Sequence, residues 1–84
     1  MAENRTLIRK RIGSRLSLPR IVLLGDLQCC VENYETLIAY TPEQVRITAA
    51  GGQIVVDGQD LVLFSFTEDR IDITGKIVQV RYEI

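Results

Sequence analysis

Apolar residues and turn residues follow one another along this chain in a short pattern that returns four times. It reads Ile21-Val-Leu-Leu-Gly25, Ile38-Ala-Tyr-Thr-Pro42, Ile54-Val-Val-Asp-Gly58 and Ile71-Asp-Ile-Thr-Gly75, with further apolar residues after each turn residue. The leading isoleucines are 17, 16 and 17 positions apart, and Gly or Pro always falls four residues later. Within these units the local period is two. Val45 and Ile47 alternate with Arg46 and Thr48, Ile71 and Ile73 with Asp72 and Thr74, and Val78, Val80 and Tyr82 with Gln79 and Arg81. Such alternation turns one apolar face inward and one wetter face outward, as half-buried antiparallel strands require. Short strands at regular spacing, separated by turn signals, predict an all-β domain.

The turn residues refine that expectation. Gly51 and Gly52, within Ala50-Gly51-Gly52-Gln53, predict a hairpin, because glycine accepts the positive φ of tight hairpin turns. Asn33 to Thr36 and Thr67-Glu68-Asp69-Arg70 predict two more turns. Gly25, Gly58 and Gly75 sit inside apolar runs, where glycine marks a bulge or a sharp bend. Long strands bent near their middles let a small sheet coil back on itself. The expected fold is a small antiparallel roll or barrel of about five or six strands. A short β-solenoid, one coil per repeat, is the alternative. Val78 to Tyr82 has little charge to protect a sheet edge, so this terminal strand should either close the barrel or pair with another copy.

Ahead of Pro19 the period changes. Ile8, Ile12 and Leu16 recur every four residues with Leu7 beside them, while Arg5, Arg9 and Arg15 fall mostly on other faces. This predicts a short amphipathic helix capped at Asn4 or Thr6, weakened by Gly13 and Ser14, and ended by Leu18-Pro19. The chain divides accordingly into a basic arm, residues 1–18, and a single β-domain, residues 19–84. Charge marks nearly the same boundary. Residues 1–20 hold six basic groups against Glu3 alone, a net +5, whereas residues 21–84 hold four basic groups against ten acids, a net −6.

Composition narrows the classes. With 84 residues, 46% of them hydrophobic, the chain is one small domain and too apolar to be disordered. No apolar run approaches the roughly 20 residues needed to span a bilayer. Arg9, Lys10, Arg11 and Arg15 interrupt any signal-peptide core, so the expected location is cytoplasmic, with a peripheral place on the cytoplasmic face of a membrane as an extension.

Reactive chemistry is sparse. The chain has no histidine, which removes His-based triads, His general bases and His metal ligands. Ser14, Ser17 and Ser65 lie in no nucleophile elbow, and no phosphate-binding glycine loop is present. Asp57, Asp60, Glu68 and Asp69 match no cation-loop spacing and read as solvated turn residues. Cys29 and Cys30 are adjacent, so a strand would point them to opposite faces, one into the core and one near the surface. The expectation is no enzyme, no metal site and no cofactor.

The ordered series of short motifs resembles a known family. Pro19-Arg20-Ile21 with Gly25, Val31-Glu32-Asn33 and Ile38-Ala39-Tyr40-Thr41-Pro42-Glu43 are similar to the YqfC branch of the YabP/YqfC sporulation proteins. So are Val45-Arg46-Ile47-Thr48, Gly52-Gln53-Ile54, Gly58-Gln59-Asp60-Leu61 and Ile71-Asp72-Ile73-Thr74-Gly75-Lys76-Ile77. The resemblance spans nearly the whole chain. It implies a small cytosolic protein of the mother cell, made early in sporulation beside membrane proteins of that programme, with no catalytic residues to carry over.

These readings converge on a non-catalytic interaction or scaffold module with a membrane-bound sporulation protein as partner. Arg5, Arg9, Lys10, Arg11 and Arg15 are the candidate interaction residues, toward that partner or an anionic membrane surface. A homo-oligomer is a further expectation. The alternative is a small nucleic-acid-binding barrel, against which stand the acidic body and only five aromatic residues, Tyr34, Tyr40, Phe64, Phe66 and Tyr82. Of these, Tyr40 and Phe64 are expected in the core, being embedded in strand patterns.

Overall fold

The computed structural model describes residues 18–84, and the predicted N-terminal helix lies outside them. Six strands follow in order: β1 (Arg20–Leu24), β2 (Gln28–Glu32), β3 (Thr36–Thr41), β4 (Gln44–Ala49), β5 (Gly52–Phe66) and β6 (Arg70–Glu83). They form one sheet of order β1-β2-β6-β5-β4-β3, and every pairing is antiparallel. The all-β antiparallel expectation therefore holds and the solenoid does not. The sheet stays open, because no ladder joins β1 to β3.

The repeat has a structural meaning. In the first two units the turn residue makes a hairpin tip: Gly25-Asp26-Leu27 joins β1 to β2, and Pro42-Glu43 joins β3 to β4. In the last two units the corresponding Gly58 and Gly75 lie inside the long strands β5 and β6, where the ladder shifts register. Exchanging β1 with β3, β2 with β4 and β6 with β5 leaves the strand order unchanged, so the domain has an internal two-fold relation. Each hairpin tip docks on a bend. Gly58 N–H donates to the Glu43 carbonyl at 3.0 Å and Leu61 N–H to the Pro42 carbonyl at 2.8 Å. Across the two-fold, Gly75 N–H donates to the Leu27 carbonyl at 3.2 Å and Ile77 N–H to the Asp26 carbonyl at 2.6 Å.

The bends fold the sheet over. Of β6, β2 meets only Arg70–Thr74, and of β5, β4 meets only Gly52–Asp57, so β5 and β6 each contribute one half to each of two arms. Asn33-Tyr34-Glu35 ties the far ends of the arms, with Asn33 N–H on the Asp69 carbonyl at 2.9 Å and Glu35 N–H on the Thr48 carbonyl at 2.8 Å. Three residues cannot cross an opened sheet, so the arms must face each other. Their inner faces make one core: Cys29, Val31, Ile71 and Ile73 from one arm, Val45, Ile47, Ala49, Ile54 and Val56 from the other, with Leu61 and Ile77 at the bends.

The β4–β5 hairpin turns on Ala50 and Gly51, at φ 51° and 82°, and not on the Gly51-Gly52 pair. Gly52 instead opens β5, where a Cβ would come within 2.8 Å of the Glu83 carbonyl oxygen. Two positive φ values in a two-residue loop define the type I′ turn, which favours Asn-Gly. Alanine is poorly suited to the first position. Ala50→Asn should stabilise the domain by about 1 kcal/mol, read as a rise of several degrees in Tm.

Candidate interaction surface

Among the described residues, one cavity of about 240 Å3 is lined by Arg20, Gln28, Cys30, Glu32 and Arg70 together with Val22 and Leu24. Nowhere among the described residues do three His, Cys, Asp or Glu side chains come together to hold a metal ion. Cys29 is fully buried in the core and burial pushes its thiol up to about 11; both cysteines are free. Cys30 points to the opposite face beside Asp72, and burial, then the Asp72 carboxylate, raises its pKa as well. Neither thiol is an activated nucleophile, since a reactive thiol needs a lowered pKa.

The outer face of the second arm is closed by polar side chains. Arg46 donates to Gln44 at 2.9 Å, Gln53 at 3.0 Å and Glu83 at 2.8 Å. Arg81 donates to Glu83 at 3.0 Å and pairs with Asp57, which also accepts from Gln44 at 2.8 Å. Val55 lies between Arg46 and Arg81 in the ladder and is completely buried, although alternation with Ile54 and Val56 marks it as outward. The arginine stems cover it. On the first arm the charges pair as well: Arg20 with Glu32 across the β1–β2 ladder at 3.2 Å, and Arg70 with Asp72 along β6 at 3.1 Å.

Arg46, then Arg81, holds the Glu83 carboxyl below the usual glutamate range, and Lys76 does the same for Asp26. A carboxylate whose pKa is lowered by folding stabilises the fold above its unfolded pKa and stops doing so as pH falls through its folded pKa. Stability should therefore be level at neutral pH and decline below about pH 4.5, where the unfolded chain begins to take up protons. Denaturant midpoints across that range, compared with Glu83→Gln, check this; the variant should show the shallower decline.

The large apolar side chains that remain exposed lie mostly along two lateral edges. At one edge β1 runs beside the second half of β6. Its tip reaches Gly75 and Ile77, and at its other end Leu18 and Pro19 line an apolar cavity of about 360 Å3 with Tyr82, Glu83 and Ile84. Leu23, Leu24, Leu27, Val78 and Tyr82 are exposed there. At the other edge β3 runs beside the second half of β5. The Tyr40 hydroxyl donates to the Leu61 carbonyl at 2.6 Å, and the Tyr34 hydroxyl donates to the Thr67 carbonyl. Val62, Phe64 and Phe66 are exposed on that side. Phe64, 73% exposed, and Tyr40, 40% exposed, are thus not the core residues their strand context suggested. Phe64 sits at a register shift, so its place in the alternation does not set its face.

Arg5, Arg9, Lys10, Arg11 and Arg15 lie outside the described residues. Gly25 and Gly51 occupy hairpin tips with positive φ, Gly52 begins β5, and Gly58 and Gly75 form the crossing of the two bent strands. The tyrosine bridges and the buried Val55 are the features that sequence reading missed. Tyr34 and Tyr40 carry no local signal of their partners, which are main-chain oxygens about 20 to 30 residues away in sequence.

The comparisons with known proteins agree with this fold-wide pattern. The YabP family profile matches residues 17–84. The uncharacterized protein YqfC of Bacillus subtilis (strain 168) is 31% identical over 67 residues, 80% of this chain and 72% of that protein. No solved structure matches the chain. The matched region takes in all six strands and both bends, and the chain belongs to the YabP family, a sporulation-associated family.

Proposed function

We propose that this protein is a non-catalytic interaction module of the sporulation programme, acting in the mother cell with a membrane-bound partner. The observation that carries the reading is the exposed apolar surface along both lateral edges, on a domain whose charged side chains largely pair with one another. Contiguous exposed apolar surface marks protein or membrane contacts. Basic residues concentrated before Arg20 supply the complementary electrostatic attraction, toward acidic protein surface or anionic lipid. Among the described residues no helix is long and apolar enough to cross a membrane.

Replacing Arg9, Lys10, Arg11 and Arg15 together with Gln removes the charge while keeping helix propensity. Flotation with membranes from sporulating cells should fall by about tenfold or more in the variant, and raised salt should mimic it. Unchanged flotation would remove the arm from the mechanism. In parallel, a low-salt gel shift that retards RNA or DNA in wild type, and not in the variant, would favour the nucleic-acid reading instead.

A further inference from the structure

The second half of β6 pairs with β5 on one side and with no strand on the other, because β2 stops at Thr74. The second half of β5 is left unpaired in the same way by the internal two-fold. The two edges are nevertheless different. Beside β5, the Tyr40 and Tyr34 hydroxyls cap the Leu61 and Thr67 carbonyls, and both β3 and β5 carry register shifts along the edge. Bulges and capped carbonyls blunt an edge against further pairing. Beside β6, the residue in the place of Tyr40 is Leu23, one repeat earlier, which has no hydroxyl to donate. β1 is regular throughout, and Gln79–Glu83 pairs with β5 without interruption.

The sequence of this open edge is complementary to itself. Reversed about Val80, it sets Val78 opposite Tyr82 and Gln79 opposite Arg81, so no like charges meet. β-Branched residues opposite aromatic ones are favourable cross-strand pairs, and Gln can accept from Arg. Val78 is 64% exposed and Tyr82 62% exposed, so both are available to a neighbour.

We infer that two copies of this chain associate through antiparallel pairing of residues 78–82 of β6 about a two-fold axis at Val80. The interface is isologous, each copy contributing the same stretch of β6, so this contact closes at a dimer and does not extend into a fibre. This extends the interaction-module reading but does not depend on it, since it concerns the chain alone.

Analytical ultracentrifugation of the full chain up to high micromolar concentration tests the inference. Wild type should show a reversible monomer–dimer equilibrium. V78K/Y82K places lysine opposite lysine in both symmetry-related pairs and should weaken the dimer by about tenfold or more. V78K/Y82E places lysine opposite glutamate and should recover most of that loss. Both sites are exposed, and circular dichroism checks that the variants fold. Should the lysine variants unfold, V80C provides a second reading: mild oxidation should cross-link it at the axis, whereas F64C on the opposite edge should not cross-link. A wild type that is monomeric throughout, assemblies that grow past the dimer, equal behaviour of the two double variants, or no cross-link in V80C would overturn the inference.

Discussion

Gly75→Val should unfold much of the protein at growth temperature. Gly75 has φ +125°, a conformation L side chains rarely adopt, and a Cβ there would lie 2.5 Å from the Asp60 carbonyl oxygen and 3.0 Å from the Leu61 Cα. Backbone strain of this kind costs about 1–3 kcal/mol. Forcing two bent strands apart adds a similar overpacking cost, about 1–3 kcal/mol. A small domain holds only on the order of 5 kcal/mol or a little more, so the two together remove most of its stability. Thermal melts should show a fall in Tm on the order of 15 °C or more. Gly58→Ala should behave alike, because its Cβ would run into the Lys76 carbonyl oxygen and the Leu61 side chain. Gly25→Ala is the control. It also has positive φ, +55°, but nothing lies within 4 Å of its Cβ position, so its cost should stay near 1 kcal/mol. Equal melts for Gly75→Val and wild type would show that the bends tolerate side chains.

Leu61→Ala should destabilise the domain by about 2–5 kcal/mol, the range for a buried leucine whose site cannot collapse. Leu61 is 1% exposed and sits where β5 turns from one arm to the other. Its main chain is held on both sides, with its N–H on the Pro42 carbonyl and its carbonyl under the Tyr40 hydroxyl. With the backbone fixed, the neighbours have little freedom to fill the space. Denaturant melts give the loss directly. Combining Leu61→Ala with Gly58→Ala should not rescue either change, since the Lys76 carbonyl still opposes the new Cβ. A rescued double variant would mean the Leu61 side chain, and not the main chain, makes the tight contact.

Much of this architecture is legible in the alternation of residues, and its gaps have physical causes. Period two from Ile21 onward marks antiparallel strands, and the four repeats mark four equivalent places where the chain must turn. The same offset nevertheless serves two structures. Gly25 and Pro42 close hairpins, while Gly58 and Gly75 bend strands that continue. The distinction rests on long-range pairing: β5 and β6 find each other along their full length, which no local pattern encodes. Val55 is buried because Arg46 and Arg81, far apart in sequence, meet across it. Phe64 is exposed because its strand shifts register beside it. The candidate surface was less legible than the fold. Its basic half is plain in the charge asymmetry, whereas the difference between the two edges depends on where two tyrosine hydroxyls land.

The measurement that bears most directly on the central claim, that this is an interaction module and not an enzyme or a nucleic-acid binder, is affinity capture of the tagged full chain from cross-linked sporulating cells. Wild type should recover a discrete membrane protein, and the variant with Arg9, Lys10, Arg11 and Arg15 changed to Gln should recover much less of it. Recovery of nucleic acid in place of a membrane protein, or identical recovery by the two chains, would contradict the account.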